Sequence, residues 1–184
     1  MPATDHHKPD FLILGAGAMG TIFGAHLARA GHSVAVLVRE RRARQIRDAG
    51  GLKVQGLQAF TAPVTVLTDA SALRQAGTLV VAMKTLGTSA ALAPLRHVQF
   101  DAALSLQNGA YKNDLLVDAF GRQVVLGALA DASGELQADG SVLFTRNVLT
   151  LLGELEGGMS PRAEALAGAL DAAGIRTRAV PDIV

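Results

Sequence analysis

Apolar runs alternate with small-residue or amphipathic segments along nearly the whole chain. Residues 11–14, 33–38, 78–83 and 102–106 read as buried strands. The runs "TLVVAM" and "ALSL" are apolar without alternation, as strands covered on both faces of a parallel sheet are. Residues 18–30 carry a helical pattern that Gly31 can end, and 40–49 form a polar, arginine-rich helix stopped by Gly50-Gly51. Residues 52–66 alternate weakly around Gly56 and Pro63, which predicts short strands or a hairpin. Further helices are expected at 71–75 (Ser71 as cap), 89–96, 113–120 (closed by Gly121) and 160–173 (Ser160 as cap, Pro161 in the first turn). Strands are expected at 124–129 and 142–152, with a turn around Asp139-Gly140, and at 175–180. Such alternation implies an α/β fold, doubly wound around a mostly parallel sheet.

The loop between the first strand and first helix is the most informative stretch. Gly15, Gly17 and Gly20 make G-x-G-x-x-G at a strand–turn–helix corner. The first glycine permits the tight turn, and a side chain at the second would meet a pyrophosphate. The third lets the helix pack on the strand. Free backbone N–H groups and the positive helix end then face the phosphates. The corner Gly15, Ala16, Gly17, Ala18, Met19, Gly20 is therefore the first candidate cofactor site.

At the end of the second strand, an NAD site would carry an acidic residue for the ribose hydroxyls. Here Arg39 stands at that place, and Arg41 and Arg42 add to the positive field. A guanidinium suits the 2′-phosphate of NADP. Glu40 is the competing ribose ligand if the register is shifted by one. Two further polar residues follow buried runs, Lys84 after "LVVAM" and Asn108 after "ALSLQ". Ligands of open α/β sheets bind beyond the carboxyl ends of the strands, so these residues are expected to converge with the corner on one rim. Taken singly, Lys84 could be an ordinary exposed lysine and Asn108-Gly109 a turn dipeptide.

Composition narrows the classes. The chain has 184 residues, net charge +1, 4% aromatics and no cysteine. It offers no electrostatic footprint for nucleic acid, no disulfide and no thiolate site. No apolar run reaches the ~20 residues of a membrane span. The N-terminal residues 1–9 read as a polar, flexible tail, in which His6 and His7 make only a weak metal pair. The other histidines (His26, His32, His97) lack a catalytic setting, and Asp114, Asp118 and Asp131 lack a partner as general bases. A reducing, cytoplasmic setting is expected.

The segments "LGAGAMGTIFGAHLARAGHSVAVLVR", "VVAMKT" and "LSLQNG", in that order, resemble the N-terminal Rossmann-like domain of the 2-dehydropantoate 2-reductase (ketopantoate reductase) family. The resemblance implies an NADP-binding domain over residues 10–180, with cofactor contacts at Gly15–Gly20, Arg39, Lys84 and Asn108, and a looser one near Ser133. Phe144 and Asn147 stand where the family often has histidine and glycine. The family reduces a 2-oxo acid to a 2-hydroxy acid and takes its proton-donating lysine from an all-helical second domain. Residues 181–184 resemble the approach to that domain, so no catalytic residue is expected in this chain, which alone should bind NADPH without turnover. The apolar face such a domain covers would favour a homodimer. Other readings remain: the cofactor domain of another dehydrogenase of this architecture, a non-catalytic NADP-sensing module, or an interaction protein with an empty fold.

Overall fold

The computed structural model describes residues 8–109 and 111–183. Residues 1–7 of the expected tail, with His6 and His7, and Val184 lie outside the described residues.

The expected order of strands and helices is present apart from one short helix, and the strands divide into two sheets. The first is parallel and holds β1 (Phe11–Leu14), β2 (Val34–Leu37), β5 (Thr65–Leu67), β6 (Gln75–Val81) and β7 (Gln99–Ser105), in the order β5-β2-β1-β6-β7. The chain winds outward from β1 to one side, then returns to β6 on the other, which creates the crevice at which such sheets bind ligands. The second sheet contains β3 (Leu52–Gly56), β4 (Phe60–Ala62), β8 (Leu126–Leu136), β9 (Val142–Glu154) and β10 (Thr177–Ala179). β9 is its spine. It pairs antiparallel with β8 along its length and parallel with β3 and β10 on its other edge.

The second sheet stands beside the expected doubly wound parallel sheet, and connection length explains why its longest pair is antiparallel. Parallel neighbours need a crossover of a dozen or more residues. β8 and β9 are joined only through residues 137–141, where Gln137 N–H donates to the Ser141 carbonyl at 2.8 Å. Asp139 accepts from the N–H and hydroxyl of Ser141 at 2.9 and 2.6 Å, and Gly140 takes φ +84. That turn folds the chain straight back, as the expected hairpin at 52–66 does for β3 and β4.

Helix α1 (Ala18–Arg29) lies between the sheets and buries Gly20 through Leu27 without a break. A Cβ on Gly24 would stand 2.9 Å from Leu52 of β3 and 3.3 Å from Ile13 of β1, so only a glycine-sized residue fits the sandwich. The two-residue period of β1 splits the core. Phe11 and Ile13 join the cluster with α1, α2 (Glu40–Asp48) and α5 (Pro161–Ala172). Leu12 and Leu14 join the opposite cluster with Leu92, Leu95 and Leu116 from α3 (Thr88–Leu92), the turn after it, and α4 (Lys112–Phe120).

One expected helix is absent. Residues 71–72 form a turn and Gln75 already opens β6. Here Asp69 supplies the cap: its carboxylate accepts from the N–H and hydroxyl of Ser71. A side chain bonded to its own backbone two residues on closes a turn rather than starting a helix. At α5 the expected cap is present, with Ser160 Oγ accepting from Ala163 N–H at 3.2 Å.

Candidate functional site

The carboxyl ends of the parallel strands are level. Leu14 stands beside Leu37 on one side and Val81 on the other, and Val81 beside Ser105. The residues that follow these ends therefore share one rim, in the order Arg39, Gly15, Lys84, Asn108 across β2, β1, β6 and β7. Three strand spacings separate the outer two, roughly 14 Å.

The glycine corner has the geometry that its spacing demands. Gly15 takes φ +90, and a Cβ there would lie 2.9 Å from that of Met83. A Cβ on Gly20 would fall 2.0 Å from the Gly15 carbonyl oxygen, so this position admits only glycine. Gly17 is different, because a Cβ on it would meet nothing within 4 Å. The protein does not need a glycine there for its own packing, and the space over it is open. Gly17 is also the N-cap of α1. No side chain caps it and no acidic residue lies in the first turn. The orphan N–H groups and the positive end of the helix dipole thus have no partner from a capping side chain or a first-turn carboxylate. Ala16 is buried, while Ala18 and Met19 are half-buried against the core.

Arg39 is exposed and caps α2 with extended backbone angles, its carbonyl accepting from the Arg42 and Ala43 N–H groups; its guanidinium makes no hydrogen bond or ion pair among the described residues. Glu40, its competitor, lies in the first turn of α2 and pairs with Arg47 at 3.6 Å. The guanidinium, not the carboxylate, is the uncommitted group at the strand end.

Arg42 departs from its expected part in a free positive field. Its Nε donates to the Ala16 carbonyl at 2.7 Å, Nη2 to Thr21 Oγ1 at 2.9 Å and Nη1 to the Gly140 carbonyl at 2.8 Å. Burial lowers its pKa from the ordinary guanidinium value. Its charge is committed inward.

At the other end of the rim, Lys84 and Asn108 are both exposed, and neither side chain has a partner among the described residues. Their loops are joined, since Thr85 Oγ1 donates to the Asn108 carbonyl at 3.2 Å. Gln107, 5% exposed, holds the arrangement from below. Its Nε2 donates to the Met83 carbonyl at 3.0 Å and to Thr88 Oγ1 at 2.8 Å, and its Oε1 accepts from Ser105 Oγ at 3.0 Å. Thr88 in turn donates to the Thr85 carbonyl at 2.7 Å. Sequence reasoning passed over Gln107. The available signal was a polar side chain at the end of an apolar run, where burial without partners is costly.

Ser133 is not drawn to this rim by any contact. It lies exposed on β8, its hydroxyl 3.2 Å from Thr145 Oγ1. The next residue, Gly134, faces α1, where a Cβ would press on Ile22 at 2.7 Å. Asp131 pairs with Arg146 through two bonds of 2.5 and 2.8 Å, and that hydrogen bonding holds its carboxyl below the usual range. It is a structural anion, not a base. His26 is fully buried, with Nδ1 2.7 Å from the Ile22 carbonyl and its ring edge-on to Phe60 and Phe144. Among the described residues no cluster of acidic or histidine side chains could hold a metal, and no helix is long and apolar enough to cross a membrane.

Comparison with known proteins gives this geometry a context. The sequence profile described as ketopantoate reductase PanE/ApbA matches residues 11–157. The 2-dehydropantoate 2-reductase of Archaeoglobus fulgidus is 32% identical over 171 residues, which are 93% of this chain and 56% of that protein. The Pyrococcus abyssi protein of the same name is 30% identical over 173 residues, 94% of this chain and again 56% of the relative. The chain spans about half the length of these curated relatives. Among solved structures, 2-dehydropantoate 2-reductase from Geobacter metallireducens superposes with a TM-score of 0.84 at 28% identity, covering 94% of this chain and 58% of that one.

Proposed function

The chain belongs to the ketopantoate reductase PanE/ApbA family, and we propose that it is the NADP-binding part of an oxidoreductase of the 2-dehydropantoate 2-reductase type. The observation that carries the reading is the rim itself. An uncapped helix start with open space over Gly17 adjoins three polar side chains that have no partner among the described residues.

The residues fit a phosphorylated dinucleotide. The N–H groups from Gly15 to Gly20 hold the pyrophosphate at the positive end of α1. Arg39 presents a planar donor fork to the 2′-phosphate, where an acidic side chain would repel it. Lys84 adds positive charge for the phosphates. Asn108 has a donor and an acceptor with which to orient the nicotinamide ribose or the substrate. Ser133 is carried as a cofactor contact on resemblance alone. When bound, NADPH supplies the hydride that reduces the carbonyl of a 2-oxo acid to a 2-hydroxy acid. This chain's own part is to bind and orient the hydride carrier. The family resemblance implies a proton-donating lysine in an all-helical second domain, and on that reading residues 1–184 alone bind the cofactor without turnover. A cytoplasmic setting and a homodimer are parts of the same proposal.

Two assays test it together. Titration followed by NADPH fluorescence should show saturable binding, tighter than for NADH. A reductase assay with 2-dehydropantoate should show no turnover by the isolated chain. Failure to bind either dinucleotide overturns the proposal, and steady turnover overturns its second half.

A further inference from the structure

The arginine-rich start of α2 serves two separate ends. Arg39 is free, whereas Arg42 is half-buried and fully engaged. The Ala16 carbonyl receives two donors, Arg42 Nε at 2.7 Å and Thr21 Oγ1 at 3.2 Å. The peptide between Ala16 and Gly17 is trans, so its C=O and N–H point to opposite sides. Holding the Ala16 oxygen inward therefore turns the Gly17 N–H the other way, at a residue whose added Cβ would meet nothing within 4 Å. The other end of the guanidinium is fixed by the turn between β8 and β9. Nη1 donates to the Gly140 carbonyl at 2.8 Å, and a Cβ on Gly140 would approach that nitrogen to 2.9 Å. Gln45 Oε1 lies 3.4 Å from the same nitrogen.

We propose that Arg42 is a positioning residue for the dinucleotide, acting through the Ala16 peptide to aim the corner's N–H groups at the pyrophosphate, with the turn at Gly140 as its anchor in the second sheet. The proposal rests on the dinucleotide reading above and adds a residue that never touches the ligand. Its signature follows from where it acts. The pyrophosphate is common to NADPH and NADH, so Arg42 serves both alike, whereas Arg39 distinguishes them.

The test uses the chain with two variants, Arg42→Lys and Gly140→Ala. The first keeps a charge and removes the fork; the second crowds the anchor and leaves the corner's own residues intact. Each is titrated calorimetrically with NADPH, NADH and adenosine 2′-monophosphate, and its thermal unfolding is recorded. Both variants should bind the two dinucleotides more weakly by the same factor, about tenfold for loss of one charge-assisted contact. Affinity for adenosine 2′-monophosphate, which has the extra phosphate and no pyrophosphate, should not change. Unchanged dinucleotide affinity in a folded variant overturns the proposal and leaves Arg42 as structural glue. A loss confined to NADPH overturns it in favour of direct contact with the 2′-phosphate. A parallel loss of the monophosphate overturns it in favour of general loosening. If Arg42→Lys does not fold, Gly140→Ala decides by the same criteria. If the unaltered chain binds neither dinucleotide, the reading beneath falls too; if it binds both and the variants match it, only the role of Arg42 falls.

Discussion

The two sheets treat their strand ends in opposite ways. At the carboxyl ends of β1, β2, β6 and β7, the polar side chains of Arg39, Lys84 and Asn108 are exposed and uncommitted. In the second sheet the polar groups are tied to one another. Glu154, at the end of β9, accepts from Ser160 Oγ and from Arg162 Nε and Nη2 at 2.6–2.7 Å. Asn147 bonds Gly174 and Arg176 in the segment that leads into β10, and Asp131 holds Arg146. Parallel winding with level ends leaves a rim whose backbone donors and side chains have nowhere inside to go. An antiparallel spine returns its chain through tight turns that consume polar groups locally. The first region leaves these polar side chains free, and the second commits them to the fold.

That contrast predicts which substitutions harm binding and which harm the fold. The largest effect on binding is expected at Gly17. Replacing it by Val fills space that the protein itself leaves open, so both dinucleotides should lose about a hundredfold or more while unfolding in urea shifts little. Equal affinity in the variant would break the comparison. Gly20→Ala should do the reverse first, because its Cβ would stand 2.0 Å from the Gly15 carbonyl oxygen. Overpacking of this kind costs about 3 kcal/mol, readable as a lower urea midpoint.

In the second sheet, Glu154→Gln should lower stability by about 1–2 kcal/mol through loss of charge-assisted bonds to Arg162 and Ser160. NADPH affinity should stay within twofold, and a larger change would join the two regions more closely than described. The smallest effect is a pH dependence. Burial, with Arg29 opposing a further charge, keeps the pKa of His26 below its ordinary 6.5. The unfolded chain therefore takes up a proton below about pH 6.5 that the folded chain refuses. Stability should fall with pH in that window, by at most about 1.4 kcal/mol per pH unit. The carboxylates with lowered pKa lose their stabilisation only at more acid pH, as they protonate. Chemical denaturation between pH 7.5 and 5.5 should show the slope, and His26→Leu should remove it.

The parts of this arrangement legible in the sequence were those written locally. The corner's geometry was readable because the turn at Gly15 and the helix packing at Gly20 each demand a glycine at a fixed spacing. The placement of Arg39, Lys84 and Asn108 on one rim was readable because each follows a buried apolar run, and such runs end level in a parallel sheet. The division into two sheets was not, since it depends on which strands pair over long separations. β9 finds β3 some ninety residues away (Val54 beside Val142). Arg42 looked like one more surface charge because its three acceptors come from α1, the corner and a turn far along the chain. The helix expected at 71–75 failed for a local reason: Asp69 satisfies Ser71 in a turn before a helix can start. Ser133 was placed by resemblance, and its hydroxyl is engaged with Thr145.

The proposed preference for NADP depends most on the Arg39 guanidinium at the end of β2 meeting the cofactor's extra phosphate. The direct measurement is the ratio of NADH to NADPH dissociation constants for the unaltered chain and for Arg39→Ala. The unaltered chain should favour NADPH by about tenfold to a hundredfold, the range of one charge-assisted contact, and the substitution should bring the ratio close to one by weakening NADPH alone. A chain that prefers NADH, or a variant that loses both dinucleotides equally, would contradict it.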